Sequence, residues 1–400
     1  MNGMLKGIAL EGAQRVMPRI LKLLESLCSV DSESGHEAGN RQVIEILRPV
    51  LEELGAQVEE IYEPGLGTHL VARVLPEGSP AGKLLLAAHL DTVFPVGSAA
   101  QHPFRIEGDY AWGLGVGDCK SGVLISLFGA LILKEAGQLP PWELTYIFNC
   151  DEEIGSPSGQ NLFAREAKGA DCALVFEGGR EQDGKVRFVT ARRGVILGDI
   201  KIKGKEAHAG AAYLEGRSAV LELANQIIRL YSFNDMEKGI YYNMAPISGG
   251  RPNGVVAGDA QGQFCVAGLP TNADFKGAER NLASMSQQVT VDGCTVDVSW
   301  HTLFPAMERT EASGRLYACV GSAAELLGMA PEEVSDPCAT DAAWISTCGV
   351  PSIDALSALE YGIHTMEEHV SISSIQQRVA LCTMAIRSVC QFYKTDYQLN

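Results

Sequence analysis

Five residues able to hold a metal ion occur in the order His89, Asp118, Glu153, Glu177 and His364, and Glu152 stands beside the third of them. Two imidazoles and three carboxylates suffice for a pair of zinc ions that share one bridging carboxylate. Each ion then has one histidine, one private carboxylate and a share of the bridge, with positions left for water and substrate. The spare carboxylate of Glu152 is what a hydrolase needs to take a proton from that water. The chain reads as a two-metal hydrolase.

Each piece also has an ordinary reading when taken alone. The run LLLAAHLD (84–91) is a strand ending in His89 and Asp91. Residues two apart on a strand face the same way, so Asp91 can accept a hydrogen bond from the imidazole nitrogen that does not hold metal and so fix the tautomer. A satisfied histidine at a strand-end turn looks the same. In GLGVGDCKSG (113–122), glycines let the backbone approach a site closely, and a helix follows. An aspartate there is ordinarily a helix N-cap, and Lys120 reads as structural. In FNCDEEIGS (148–156), three acids follow a hydrophobic strand directly. Without a cation they repel one another, and two neighbouring glutamates can divide the work between metal and water. Glu177 ends LVFE (174–177), and His364 lies in YGIHTMEEHV (361–370). The combination is the strong signal, because the site segments end or follow successive strand-like runs, where open α/β sheets place their sites.

The elements that must position these residues alternate. Residues 1–26 and 36–54 have helical patterns, while 68–75, 83–88, 144–150 and 172–176 read as strands. Residues 121–136 are apolar all round and read as a buried helix. That alternation is the mark of an α/β layer. Beyond Lys185 the pattern changes. Val186–Lys203 is strand-like, 214–230 helical, 241–247 and 261–267 strand-like, Thr271 caps a helix to about Gln288, and 294–300 is extended. This strand–helix–strand–strand–helix–strand order is ferredoxin-like. It predicts an α+β domain at 190–300 inserted into a catalytic domain of 1–189 and 301–400, whose helices resume at 310–328 and 373–394.

Four hundred residues suit two domains. A net charge of −17 argues against nucleic acid and anionic membrane surfaces as partners. The 11 cysteines form no CxxC pair. Several, including Cys172, Cys319, Cys382 and Cys390, lie in apolar runs, as buried thiols of a reducing compartment do. With no secretory pattern at the start and no membrane span expected, the location implied is the cytoplasm.

At this point the sequence resembles the co-catalytic di-zinc peptidase and aminoacylase family, and within it the glutamate carboxypeptidase branch. The matches are HLDTV (89–93), GVGDCKSG (115–122), DEEIGS (151–156), VFEGG (175–179), GKEAHAGAA (204–212), TDAAW (340–344) and GIHTMEEHV (362–370). The resemblance implies a zinc-exopeptidase-like three-layer α/β/α catalytic domain with an inserted ferredoxin-like lid that also forms a homodimer. It implies one zinc on His89, Asp118 and Glu177 and a second on Glu153 and His364, with Asp118 bridging. Manganese or cobalt would suit the same ligands. It further implies that Asp91 orients His89, that Glu152 is the general base and that His208 stabilises the oxyanion. Asn253, Arg251 and Thr340 would bind substrate. It gives His369 no ligand role, and the side chain of Cys119 need not face the metals.

One departure bears on substrate. An ungapped reading puts Ala267, in QFCVAG (263–268), where the family's lid often carries an arginine for the substrate carboxylate. Arg251, in the loop GGRPNGVV (249–256), can supply a cation instead. Cys338 and Ala339 also stand where glycines are usual before Thr340. The expected reaction is attack of a metal-bridged hydroxide on the amide of a small peptide or N-acyl amino acid, with Glu152 shuttling the proton. The alternative is an amidohydrolase or deaminase whose substrate lacks a free α-carboxylate. A binding protein on the same fold would have lost a ligand or the base, and neither is missing.

Overall fold

The strands read from the first half of the chain assemble into one six-stranded sheet. In the computed structural model, which describes residues 2–394, its strands are β1 (Gln57–Glu63), β2 (Gly67–Val74), β3 (Lys83–His89), β4 (Glu143–Asn149), β5 (Cys172–Val175) and a short strand Ser352–Ile353, of which the first and the last were not read from the sequence. The order across the sheet is β1-β2-β4-β3-β5 and then 352–353. β1, β2 and β4 pair antiparallel, whereas β4, β3, β5 and the last strand run parallel. His89 lies opposite Asn149 in that register, so the chain leaves β3, β4 and β5 along one edge.

Both faces of the sheet are covered. Leu84, Leu86, Tyr146, Phe148, Cys172 and Leu174 join a core with helices α1 (Asn2–Cys28), α2 (Glu37–Leu54) and α3 (Ser121–Glu135) and the late helices Glu311–Leu326 and Ile372–Phe392. The alternate residues Leu85, Ala87, Ile147 and Val175 are buried but lie outside that core. By strand alternation they face the other way, where α4 (Gly159–Glu166) and helix Asp341–Thr347 pack on the sheet. This is a three-layer α/β/α arrangement. Met1, included in the first expected helix, lies outside the described residues. The stretch Val116–Glu135 is long and apolar enough to cross a bilayer by composition alone, but its most apolar window is 94% buried inside the unit. It is the central core helix.

The chain divides into two units. The first runs to Thr190 and resumes over Arg309–Ser335 and from Thr340; the second is Ala191–Glu308 with Asp336–Ala339. The second holds β6 (Gly194–Lys203), α5 (Ala219–Tyr231), β7 (Tyr241–Gly249), β8 (Asp259–Leu269), α6 (Asn272–Met285) and β9 (Thr295–Phe304). Its sheet order is β7-β8-β6-β9, all antiparallel. Ile196, Ile200, Phe264 and Val266 meet Leu223, Leu230, Phe275 and Leu282 in a core of its own.

Several boundaries differ from the sequence reading; the inserted unit, read as 190–300, runs over Ala191–Glu308 and takes in Asp336–Ala339. The single strand read over 186–203 is two strands, Lys185–Arg192, within which the unit boundary falls after Thr190, and β6, which belongs to the second unit. The helix read from 214 starts at Ala219. Arg217 bridges to Lys205 as extended chain, and the Ser218 hydroxyl caps the helix by accepting from the Leu221 N–H at 3.2 Å.

Candidate metal centre

His89 ends β3, the acids 151–153 follow β4 and Glu177 lies two residues beyond β5, so parallel pairing brings all three segments to one edge. His364 arrives from a separate small sheet. It sits between strands Glu360–Tyr361 and His369–Ser371, which pair with each other, and the second pairs with strand Tyr110–Trp112. The chain leaving that last strand is the glycine-rich loop to Asp118. Loops bearing Asp118 and His364 are therefore neighbours because their parent strands are.

Asp118 lies at the centre. Its Oδ1 is 2.9 Å from His89 Nε2 and its Oδ2 is 3.0 Å from His364 Nε2. Glu153 Oε2 is 3.3 Å from His364 Nε2, and Glu177 Oε2 is 3.8 Å from His89 Nε2. Burial disfavours a charge on Asp118, but hydrogen bonds to His364 and His89 outweigh it and hold the carboxyl well below the usual range. Hydrogen bonds to Asp118 and Glu153 push His364 up to about 10. His364 takes a left-handed backbone, φ 59°, which is uncommon outside glycine.

Asp91 organises this edge through both its carbonyl and its carboxylate. His89 Nδ1 lies 3.0 Å from the Asp91 carbonyl oxygen and 3.4 Å from its Oδ1. The carboxylate accepts from the Ser34 hydroxyl at 2.6 Å and from the Glu152 and Glu153 N–H groups at 3.2 and 3.1 Å. Asp151 turns away from the site and accepts from Ser158 and Gly159 at the start of α4. Glu152 is buried, and burial first, then the charges of Glu177, Asp341 and Glu153 against that of His89, raise its carboxyl well above the ordinary range. Asp341, also buried, is pushed up to about 8.

Two contributors were not read from the sequence. Glu368, four residues after His364, is buried and accepts three backbone N–H groups: Gly115 at 3.0 Å, Gly117 at 2.8 Å and Asp118 at 3.1 Å. One carboxylate thus ties the His364 segment to the turn that carries Asp118. That turn, Val116–Lys120, is kinked: Asp118 (φ −110°, ψ 87°) and Cys119 (φ −133°, ψ 30°) depart from helical geometry, and the peptide between them is cis. The second is Cys119, whose Sγ does reach the cluster: it lies with His89 and Glu177 donor atoms all within 4.8 Å of one another. Gly122 makes the close approach possible, since a Cβ there would meet the Phe176 carbonyl at 2.0 Å. Lys120 is buried and donates to the Val30 and Leu114 carbonyls at 3.3 and 3.4 Å. His369 is stacked between Trp112 and Tyr361, with centroids at 3.9 and 5.1 Å.

The donor set fits metal ions. Ligands at about 2.1 Å from a tetrahedral ion lie about 3.4 Å apart, and the four pairs around Asp118 and His89 span 2.9 to 3.8 Å. His89, Asp118 and Glu153 also have donor atoms within 4.8 Å of one another. Divalent ions would neutralise carboxylates that otherwise crowd one buried edge.

The other residues expected at the site are engaged differently. Thr340 donates to Asp354 Oδ2 at 2.7 Å and accepts from the Ala342 N–H at 3.3 Å, so its hydroxyl serves the start of helix Asp341–Thr347. His208, Arg251 and Asn253 belong to the second unit. His208 is exposed, and its Nδ1 accepts from the Gly210 and Ala211 N–H groups at 3.1 and 3.0 Å. Arg251 makes a two-point ion pair with Glu206 at 2.9 and 2.7 Å. Asn253 is exposed at φ 77°. Ala267 sits on β8 between Val195 and Tyr241.

Known proteins are similar to this chain in sequence and in fold. The profile of Peptidase family M20/M25/M40 matches residues 85–388. Carboxypeptidase G2 of Pseudomonas sp. (strain RS-16) is 30% identical over 383 residues, spanning 95% of this chain and 91% of that protein. The M20 family metallo-carboxypeptidase Sso-CP2 from Sulfolobus solfataricus superposes with a TM-score of 0.75 at 15% identity, over 93% of this chain and 99% of that one. The Bacillus subtilis YXEP protein, a dinuclear metal binding peptidase from the M20 family, does so with a TM-score of 0.70 at 15% identity, over 94% and 99%. The resemblance read from the motifs and the fold class both stand.

Proposed function

The chain belongs to peptidase family M20/M25/M40 and is a metal-dependent hydrolase, and from that premise we propose a two-zinc enzyme that cleaves the C–N amide bond of a small peptide or N-acyl amino acid. The observation that carries the reading is the convergence of two imidazoles and three carboxylates around Asp118, with Glu152 buried beside them. His89, Asp118 and Glu177 would hold one ion, Glu153 and His364 the other, and Asp118 both. Bound there, the metals supply Lewis acidity for the carbonyl and a water acidic enough to ionise near neutrality.

This chain's own groups do the rest. Asp118, held ionised, offers one oxygen to each side. Asp91 fixes the His89 ring so that Nε2 faces the cluster. Glu152 takes a proton from the attacking water and returns it to the leaving nitrogen. Its raised carboxyl brings its basicity closer to what proton transfer at neutral pH requires. The motif match supports His208 as the group that stabilises the oxyanion, and Asn253, Arg251 and Thr340 as substrate contacts. The family resemblance supports a homodimer formed through the inserted unit, which would serve as a lid. Eleven free cysteines suit a reducing compartment, in keeping with the cytoplasm.

A second reading rests on one observation: Ala267 stands where a lid arginine would grip a carboxylate, and Arg251 is already paired with Glu206. On that reading the substrate lacks a free α-carboxylate. A hydrolysis screen separates the two. N-acyl amino acids and dipeptides are compared with analogues amidated at the terminal carboxylate, with zinc, cobalt or manganese added. Preference for the free acids supports the first reading, and equal or better cleavage of the amidated set supports the second. Metal-independent or absent turnover across the whole panel defeats both.

A further inference from the structure

Cys119 sets the two metal positions apart chemically. Its side chain is fully buried, and its Sγ lies within 4.8 Å of a His89 nitrogen and a Glu177 oxygen, which are themselves that close to each other. On the proposed assignment, His89 and Glu177 belong to the same ion. The position they form therefore has a sulfur donor within reach. Among the described residues, the position formed by Glu153 and His364 gathers only nitrogen and oxygen around Asp118. The Sγ is placed there by the kinked turn Val116–Lys120, in which Asp118 and Cys119 both depart from helical geometry, and by the close seat of Gly122 on the Phe176 backbone. The thiol donates to the Phe176 carbonyl at 3.3 Å, immediately before Glu177.

We propose that Cys119 is a fourth protein donor to the ion held by His89, Asp118 and Glu177, so that this chain has one soft, nearly closed position and one hard, open position. The inference rests on the two-metal reading. On coordination the S–H bond breaks, the sulfur keeps the electron pair for the metal and the proton passes to solvent. The hydrogen bond to Phe176 is given up. Tetrahedral ligation by sulfur at about 2.3 Å and nitrogen or oxygen at about 2.1 Å requires donors about 3.6 Å apart, so the side chain has to close by no more than about an ångström. Thiolate favours zinc and other thiophilic ions, whereas carboxylate and imidazole alone also suit manganese and cobalt. The position with four protein donors would hold its ion most tightly. The open one would be left to bind substrate, as catalytic sites retain an open coordination place.

The test uses the full-length protein and metal salts alone. The metal-free chain is loaded with cobalt(II) to two ions per chain and examined by absorption spectroscopy and cobalt X-ray absorption. One sulfur scatterer per two cobalt ions and a sulfur-to-cobalt charge-transfer band are expected. Cys119→Ser should remove both while two cobalt ions still bind. It should also weaken the first equivalent of cadmium at least tenfold and leave the second nearly unchanged. Two bound cobalt ions with no sulfur around them in the wild type overturn the inference alone, and so does a band that survives in Cys119→Ser. Loading that cannot reach two ions defeats the two-metal reading and this inference with it. Because the wild-type spectra decide first, a variant that fails to fold does not shelter the proposal.

Discussion

The two units carry their functional groups in opposite ways. In the first, His89, Glu152 and Glu177 are buried at strand ends, and Asp118 is hydrogen-bonded to two imidazoles. In the second, His208 ends the two-residue strand Ala207–His208 and Arg251 lies in the loop before Val255, both exposed, the Arg251 side chain 62% so. A parallel sheet with both faces covered fixes side chains at its edge within a water-poor setting, where charge interactions are strong. Exposed segments offer reach but little electrostatic leverage. Substitutions around the metal cluster in the first unit should therefore act through metal and proton transfer, and those of Arg251 and its ion-pair partner in the second through substrate preference.

The largest effect is expected from Glu152→Gln. It keeps shape and removes the proton acceptor, so kcat should fall on the order of 10²–10⁴-fold, while metal content by elemental analysis and the circular dichroism spectrum stay as in the wild type. Retained turnover would take the base out of the first unit and break the comparison at its strongest point.

Glu368→Gln comes next. The amide can still accept but presents an NH2 group to at least one of the three N–H donors that Glu368 now satisfies. Loosening the Asp118 turn should weaken zinc binding about 10–100-fold, measured by competition with a chromophoric chelator. Unchanged affinity would show that the turn holds its shape without Glu368.

Glu368 also marks where sequence reading stops. His89, Glu153 and Glu177 could be read because each ends or closely follows a contiguous apolar run, and parallel strands gather such ends regardless of their separation along the chain, whereas Asp118 and His364 lie in loops and were read from their motifs. The ferredoxin-like order of the second unit was equally plain from its alternating periods. Glu368 and Cys119 could not be read in this way. Their roles depend on the path of the kinked turn Val116–Lys120, and no periodicity encodes which backbone N–H groups that turn presents. The Thr340 hydroxyl was likewise invisible, because Asp354, which takes it, lies on the far side of helix Asp341–Thr347 in the chain. The helix read from Leu214 starts at Ala219 because pairing of Arg217 with Lys205 holds the intervening chain extended.

The pH dependence of the metal-free protein should come from the first unit. Burial raises the Glu152 and Glu153 carboxyls, takes Asp341 up to about 8 and takes Glu368 up to about 7. Acids raised on folding bind more protons in the native state, so stability falls as pH rises from about 4 towards 8. His364, raised to about 10 by Asp118 and Glu153, contributes fully below about 6.5 and loses that contribution as pH climbs through 10. The two trends have the same sign. Asp118, lowered by its histidines, acts oppositely, but only below about 3.9. Calorimetry in excess chelator should show Tm declining from pH 5 to pH 9, and metal loading should flatten the slope. A chelated Tm that rises over that range would contradict the assignment. In the second unit Glu206 is lowered by its hydrogen bond to Arg251, which adds nothing in this window.

The smallest and most discriminating effect is expected from Arg251→Ala. Its ion pair is exposed, so Tm should not move measurably. If Arg251 receives the substrate carboxylate, that carboxylate must compete with Glu206, which already takes two hydrogen bonds from the guanidinium. Removing the arginine should then raise KM severalfold for free acids and leave amidated analogues unaffected. Glu206→Gln should do the reverse, because it frees the guanidinium and lowers KM for the same acids. Opposite shifts from the two ends of one surface pair would place carboxylate recognition in the second unit despite Ala267. If both variants leave KM unchanged for both substrate sets, the pair is a solvated contact, and the turn contributes nothing to carboxylate binding.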